Sequence, residues 1–148
     1  MSRTLALVAL PFLLTGCPKN YPIDCDVEDC EIVEPAIEPC EGITPQVTNI
    51  SPDELLAMLD DKDFQLINTH VPYAGEITGT DVHISYQDID AIETYLDGDL
   101  EAKAVVYCLT GPMSEIAADE LIARGYCNIF DMPQGMGVWD QLGYPMTE

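Results

Sequence analysis

The sequence predicts an α/β domain with a small, mostly parallel sheet and helices on both of its faces. Helical and strand-like patterns alternate from about residue 47 onward. The strongest strand pattern, over residues 104–107, is a continuous apolar run, which is typical of the centre of a parallel sheet. A strand buried on both faces needs helices on both sides, and the alternation supplies them.

Local patterns justify each element of this fold in turn. Ser51, Pro52 and Glu54 predict a helix start, because serine and glutamate form a capping box around a first-turn proline. Ser114 is predicted to cap a second helix, which Gly125 ends. Apolar spacing predicts the remaining elements, which are strands over residues 64–68, 81–84 and 128–130 and helices over residues 88–96 and 136–142.

The first 16 residues have the pattern of a signal peptide. Arg3 precedes an apolar run over residues 5–14, which is shorter than the roughly 20 apolar residues of a permanent membrane span. The run ends in Leu14-Thr15-Gly16-Cys17, which resembles the lipobox of bacterial lipoproteins. The resemblance implies cleavage before Cys17 and a lipid on its thiol. The alternative is an ordinary secretory signal in which Cys17 is incidental.

A lipid on Cys17 implies a protein held on a membrane of the cell envelope, with its domain outside the cytoplasm. Pro18 after the cysteine, in place of aspartate, resembles lipoproteins that pass to the outer membrane. Residues 17–46 follow as an acidic, proline-rich tether that lacks the apolar residues of a core. The formal charge of −22, from 27 acidic and 5 basic residues, argues against nucleic acid as a partner. We expect a monomer.

The chain contains six cysteines, and five remain if Cys17 carries lipid. Five is an odd number, so at least one thiol stays free or pairs outside the chain. A metal site in the tether is the alternative to disulfides, but the cysteine spacing there matches no common zinc motif. Cys25, Cys30, Cys40 and Cys127 allow three pairings if Cys108 is free. One of these, Cys25–Cys30 with Cys40–Cys127, would fasten the tether to the domain.

The chemistry of the chain is predicted around Cys108, which follows the central strand. Ligands of open parallel sheets bind at the carboxyl ends of the strands. We expect backbone N–H groups of the loop over residues 109–114, with the helix start after it, to face the sulfur and favour a thiolate or a persulfide. The loop consists of Leu109, Thr110, Gly111, Pro112, Met113 and Ser114.

At this point the sequence resembles the rhodanese family, whose pattern most of residues 47–148 follow. No single motif decides the resemblance, but the order and the spacing of the segments together are specific. The matching segments are Leu66-Ile67-Asn68, Gly75-Glu76-Ile77 with Gly79, Val105 to Ser114, Leu121 to Tyr126 with Asn128, and Gly135 with Trp139, Gly143, Tyr144 and Pro145.

The resemblance implies that Cys108 accepts a sulfane sulfur, holds it as a persulfide and passes it to a thiol acceptor. It implies no metal and no organic cofactor. Three positions depart from the family pattern: Met113 stands where many members have arginine, Asn68 where aspartate is usual and His70 where arginine is usual. Because the loop lacks a cation, we expect a small neutral or weakly charged sulfur donor and not the dianion thiosulfate.

Two hypotheses about function follow. The first is an envelope sulfurtransferase with Cys108 as nucleophile, to which His70 and Asn68 are possible auxiliary residues. The second is a catalytically weak rhodanese-like module that binds a partner protein or a sulfur species. Rhodanese-like phosphatases need an arginine six residues after the cysteine to clamp an oxyanion, and Ser114 occupies that position here, which argues against phosphatase activity.

Overall fold

The computed structural model describes residues 40–147, which belong to one compact unit. The predicted signal peptide over 1–16, the lipidation site Cys17 and the tether cysteines Cys25 and Cys30 lie outside the described residues. Within residues 40–147, four helices and seven strands follow each other in the order β1 (Thr48–Asn49), α1 (Pro52–Leu59), β2 (Gln65–Asn68), β3 (Glu76–Ile77), β4 (Val82–His83), α2 (Ile89–Tyr95), β5 (Ala104–Tyr107), α3 (Pro112–Ala123), β6 (Ile129–Asp131), α4 (Gly135–Gln141) and β7 (Met146–Thr147).

Five strands form one sheet in the order β1-β6-β5-β2-β4, and every pair in it is parallel. All five strands therefore begin at one edge, the amino edge, and end at the opposite one, the carboxyl edge. The short strands β3 and β7 pair antiparallel in a separate small sheet. The predicted α/β class and the predicted parallel sheet are confirmed.

The two faces of the sheet carry separate cores, because residues alternate between faces along a strand. Ala104 and Val106 of β5 lie in the core that α2 and α3 cover. Val105 and Tyr107 lie in the opposite core, with α1 and with Trp139 of α4. All four side chains of β5 are fully buried. This strand is the continuous apolar run of the sequence, and its bounds agree with the prediction.

Local signals explain where the helices begin and end. The capping box of α1 is present, since Ser51 accepts from Glu54 N and the Glu54 carboxylate accepts from Ser51 N. Gly125, with φ +98°, follows α3, as predicted. The prediction that Ser114 caps α3 is wrong. The helix begins at Pro112 after Gly111, whose φ of +105° is open to glycine and costly for other residues.

A disulfide joins Cys40 to Cys127 at the amino edge, with Cα atoms 5.9 Å apart. Cys127 lies two residues before β6, and the backbone N–H of Cys40 also donates to Glu101 Oε1 at 3.0 Å. The expected tether includes residues 40–46, and the structure attaches this part of it covalently to the domain. Because the disulfide closes a loop of 87 residues, it restricts the unfolded chain and so stabilises the fold.

Within residues 40–147, no helix combines the length and the apolar character that crossing a membrane requires.

Candidate functional site

Cys108 directly follows β5, the middle strand of the five-stranded sheet, and so lies at the carboxyl edge. Its side chain is buried, with 1% of its surface exposed, and it is the free cysteine of the described residues. By the alternation of β5, the sulfur continues the face of Ala104 and Val106, which is the face under α3. The sequence therefore puts a free thiol at the strand end where ligands of parallel sheets bind.

The sulfur of Cys108 accepts a hydrogen bond from the backbone N–H of Gly111, with N and Sγ 3.0 Å apart. This is one of the amide donors that the sequence predicts around the sulfur. α3 begins at the next residue, so the positive end of the helix dipole lies beside the sulfur. The N–H group and the helix start both direct positive partial charge toward the sulfur.

Residues 132–137, which are the loop after β6 and the first turn of α4, hold the loop after Cys108 in place. Met136 N donates to Cys108 O at 2.8 Å, and Gly137 N donates to Leu109 O at 2.9 Å. A Cβ atom on Gly111 would approach the carbonyl oxygen of Pro133 to less than 3.0 Å, and one on Gly135 would approach Leu109 O as closely. The two backbones pack so tightly that only glycine fits at these positions, and the site is rigid as a result.

The loop around the sulfur is shorter than expected. Pro112, Met113 and Ser114 form the first turn of α3, and only Leu109, Thr110 and Gly111 connect β5 to the helix. The expectation that Ser114 belongs to the loop around the sulfur needs correction. Its side chain is buried and its hydroxyl donates to Gly111 O at 2.9 Å, so it supports the loop from behind.

Several apolar side chains follow Cys108 in the loop and in the first turns of α3. Thr110 and Pro112 are exposed, Leu109 and Met113 are half-buried, and Ile116, one turn into α3, is 50% exposed. None of these side chains carries a charge, and the charged residue of this stretch, Glu115 in the first turn of α3, is acidic and exposed. An arginine at position 113 would have offered a fork of donors to an oxyanion, and Met113 offers none.

The cations of the described residues all lie away from Cys108. Lys62 pairs with Asp81 and Lys103 with Asp63, and these four residues directly precede the strands β2, β4 and β5, at the amino edge. Arg124 ends α3, far from its N-terminus, and pairs with Asp90 and Glu93 of α2. Between residues 40 and 147, each lysine and arginine is thus engaged by a carboxylate at the opposite end of the domain.

Asn68 and His70, the predicted auxiliary residues, lie at the end of the neighbouring strand β2. The Asn68 side chain accepts from His70 N at 3.0 Å and donates to Gly75 O at 3.1 Å, so it shapes the loop after β2. His70 is 9% exposed and its Nδ1 has no hydrogen-bond partner among the described residues. Burial, with a smaller effect of His83, lowers the pKa of His70 and keeps the imidazole neutral at pH 7.

Asp131, at the end of β6, is a buried residue near the site that the sequence did not single out. It is 1% exposed, and its Oδ1 has no partner among the described residues. Burial raises the pKa of Asp131 to about 6, which a hydrogen bond with Ser114 partly opposes. The sequence signal was an acid within the apolar segment Ile129-Phe130-Asp131-Met132.

No group of three or more His, Cys, Asp or Glu side chains in the part of the chain that the structure describes is arranged to hold a metal ion.

No protein-family profile matches this chain, and no curated protein sequence is significantly similar to it.

By contrast, several solved structures are similar to this chain in their fold. A rhodanese-related protein from Thermoplasma volcanium superposes with a TM-score of 0.56 at 23% identity, over 68% of this chain and 97% of that one. A rhodanese-like domain from Anabaena sp. superposes with a TM-score of 0.58 at 17% identity, over 66% and 76%. A Rhodopseudomonas palustris protein described as a possible tyrosine phosphatase gives 0.59 at 19% identity, over 69% and 85%. At these identities the likeness establishes the fold, which is rhodanese-like.

The glycine contacts predict a large effect of Gly111→Ala. A positive φ costs an alanine about 1–2 kcal/mol, and the overlap with Pro133 O adds about 1–3 kcal/mol. We expect the free energy of unfolding to fall by about 2–5 kcal/mol, measured by urea denaturation. Gly98→Ala is the matched control, since Gly98 also has a positive φ but an added Cβ meets nothing within 4 Å. Equal losses in the two variants would contradict the proposed packing.

Proposed function

We propose that the domain is a sulfurtransferase that carries sulfane sulfur as a persulfide on Cys108. The observation that supports this best is the hydrogen bond from Gly111 N to Cys108 Sγ, within a loop that is packed tightly against residues 132–137. A persulfide keeps its negative charge on the terminal sulfur, and fixed amide dipoles stabilise such a charge without rearranging during the reaction.

The transfer takes place in two displacements. In the first, the Cys108 thiolate attacks the outer sulfur of a donor R–S–S⁻ or R–S–SH. The new Sγ–S bond forms as the donor's S–S bond breaks, and the thiolate R–S⁻ leaves with the electron pair. In the second, an acceptor thiolate attacks the outer sulfur of the persulfide, and Cys108 leaves as a thiolate. Electrons are conserved over the cycle, so the exchange consumes no oxidant or reductant.

The donor that fits this site is a small neutral or weakly charged sulfur compound. Thiosulfate carries two negative charges, and within residues 40–147 each lysine and arginine is paired at the far end of the domain. The net charge of the chain, −22, also opposes the approach of a dianion. The same argument disfavours phosphate esters, so we do not extend to this chain the possible phosphatase activity of the Rhodopseudomonas palustris neighbour.

One observation favours a second candidate function, a module that binds a partner through this edge. Cys108 is only 1% exposed, while Ile116 of the following helix α3 is 50% exposed. A buried thiol followed by exposed apolar side chains could bind a protein or a sulfur species without turnover. The two functions differ in whether a sulfur atom is transferred to and from Cys108.

We also propose that the protein is anchored in the cell envelope by lipid on Cys17, with the outer membrane as its site. The support is the signal-peptide pattern of residues 1–16 and the lipobox-like segment that ends in Cys17. A cysteine that carries several acyl chains holds a protein stably, whereas a single chain does so only marginally.

The sulfurtransferase proposal is tested by trapping the persulfide. After exposure of the full chain to inorganic polysulfide, we expect mass spectrometry to find one added sulfur on the peptide that contains Cys108. Addition of a thiol acceptor should remove it and yield the acceptor's persulfide. Cys108→Ser should lose both reactions and keep the thermal stability of the native chain. Wild-type chain that gains no sulfur on Cys108 would favour the binding module.

Met113→Arg tests the role of charge at the site. We expect thiosulfate turnover to rise roughly ten- to a hundredfold, because a hydrogen bond to a charged group contributes about 1.5–3 kcal/mol. Ala123→Arg, at the other end of α3, is the control for net charge alone. The charge argument fails if both variants change thiosulfate turnover equally.

The anchor is tested by expressing the full chain and Cys17→Ala in a bacterial host. We expect wild-type protein in the membrane fraction, with the added mass of a lipid on its N-terminal cysteine. The Cys17→Ala variant should lack that mass and leave the membrane fraction. Wild-type protein without lipid would show that the N-terminal segment is an ordinary secretory signal.

A further inference from the structure

The loops at the carboxyl edge of the sheet contain no Asp, Glu, Lys or Arg. They follow β1, β2, β4, β5 and β6 and span residues 50–51, 69–75, 84–87, 108–111 and 132–134. Loops at the amino edge are densely charged, as in residues 60–63, which read Asp-Asp-Lys-Asp. The carboxylate that ends β6, Asp131, is buried. In a chain of net charge −22, the edge that holds Cys108 is thus an uncharged edge, formed by these five loops.

Backbone hydrogen bonds join most of the uncharged edge into one surface. Tyr86 N donates to Thr69 O at 3.1 Å, and Thr69 N donates to Tyr107 O at 2.8 Å. On the other side of β5, Met136 N donates to Cys108 O at 2.8 Å. The loops after β4, β2, β5 and β6 are therefore neighbours in the order of their strands, with the loop of Cys108 among them.

Tyr73 is the exposed large side chain of the uncharged edge, with 50% of its surface exposed. Its ring packs edge-on against His83, with ring centroids 5.2 Å apart. His83 is held in turn, because its Nε2 lies 2.6 Å from His70 O. An aromatic side chain that is already held in place loses little conformational entropy when a partner covers it. Aromatic anchors of this kind are enriched among the residues that carry binding energy at interfaces.

Two carboxylates flank the loops of Tyr73 and Cys108. Glu76 begins β3 directly after the loop of Tyr73, and Glu115 lies in the first turn of α3 after the loop of Cys108. Neither is among the carboxylates that pair with the lysines and the arginine of the described residues. An uncharged centre with acidic flanks complements a protein surface that is apolar at its centre and basic around it.

From this pattern we propose that the uncharged edge is the docking surface of a basic protein that carries the acceptor thiol, with Tyr73 as the anchor. Tyr73 and Cys108 lie on different loops, so a partner that contacts both must be larger than a small thiol. A second copy of this chain does not fit, because two chains of charge −22 repel each other.

The inference rests on the proposed function for its transfer step. The outer sulfur of the persulfide passes from Cys108 to the partner's cysteine, and Cys108 leaves as a thiolate with the electron pair of the broken S–S bond. Docking itself requires no sulfur transfer, so binding and transfer are measured separately.

Two synthetic peptides serve as probes for binding. Both have leucine and serine at the centre, flanked by lysines in one peptide and by glutamates in the other. We expect the lysine peptide to bind the full chain about tenfold more tightly at low salt, because the glutamates would meet like charge. Its binding should shift the NMR amide signals of residues 69–75 and 108–113. Equal affinities, or shifts confined to other loops, would overturn the proposal.

Tyr73→Ala tests the anchor. We expect the Kd of the lysine peptide to rise about tenfold, the loss typical of an aromatic anchor. Tyr95→Ala is the matched control, because Tyr95 is 36% exposed and its hydroxyl donates to Gln65 at the start of β2, at the amino edge. Its Kd should equal that of the wild type. Equal losses in the two variants would remove Tyr73 from the surface.

Glu115→Gln tests the charge, and it does so even if Tyr73→Ala does not fold. We expect the Kd of the lysine peptide to rise about twofold to fivefold, as for an exposed ion pair. Asp61→Asn is the matched control, since Asp61 is exposed before β2 at the amino edge. At about 1 M salt, where the Debye length is about 3 Å, the difference should disappear. Equal changes in both variants would contradict charge pairing at this edge.

Transfer is measured with cysteine in place of the central serine of the lysine peptide. The full chain is first loaded with sulfur from inorganic polysulfide. In Tyr73→Ala we expect transfer to this peptide to slow about tenfold more than transfer to 2-mercaptoethanol, because only the peptide uses the anchor. Equal slowing of both acceptors would contradict docking through Tyr73.

These readouts separate the docking surface from the proposed function. If the serine peptide binds at this edge but no persulfide forms, the surface stands and the sulfurtransferase proposal fails. If the persulfide forms and passes equally well to cysteine peptides with lysine and with glutamate, the sulfurtransferase stands and the basic partner fails. Self-association of the full chain that Tyr73→Ala abolishes would identify a second copy as the occupant and would overturn the basic partner.

Discussion

The site depends on one constraint, which is the contact between the backbone after β5 and the backbone after β6. Gly111 approaches Pro133, and Gly135 approaches Leu109, more closely than any side chain allows. This contact orients Gly111 N toward Cys108 Sγ and sets the start of α3. The parallel pairing of β5 with β6 brings the two loops to the same edge, so the sheet topology positions the sulfur and the glycines keep it there.

The distribution of charge follows from the same topology. Lysine and arginine side chains of the described residues are paired at the amino edge, whereas the sulfur lies at the carboxyl edge. An anionic sulfur is thus stabilised by amide dipoles and not by cations. Dipoles act over a short range, so they hold an anion in the loop without attracting distant dianions. Under the proposed function, this arrangement would let a strongly acidic protein hold a sulfur anion in the loop and would disfavour anionic substrates.

Much of this arrangement could be predicted from the sequence, and what was missed has physical reasons. Long apolar runs and side-chain caps are local signals, so β5 and the start of α1 were found. The strands β1, β3 and β7 have two residues each, too few for a periodic pattern. Serine favours cap positions, which predicts a cap at Ser114, but Gly111 adopts the required backbone turn and the helix begins at Pro112. The position of Asp131 beside β5 depends on strand pairing, which no local pattern contains.

The sheet also separates the free thiol of Cys108 from the Cys40–Cys127 disulfide. A thiolate attacks disulfides, so a reactive Cys108 close to the Cys40–Cys127 bond would exchange with it. Cys127 precedes β6 at the amino edge, and Cys108 follows β5 at the carboxyl edge. A strand of four residues separates the two edges by roughly 13 Å, at about 3.3 Å per residue, and the apolar core fills the space between them. The structural disulfide and the free thiol can therefore exist in one small domain, because a parallel sheet places strand starts and strand ends on opposite sides.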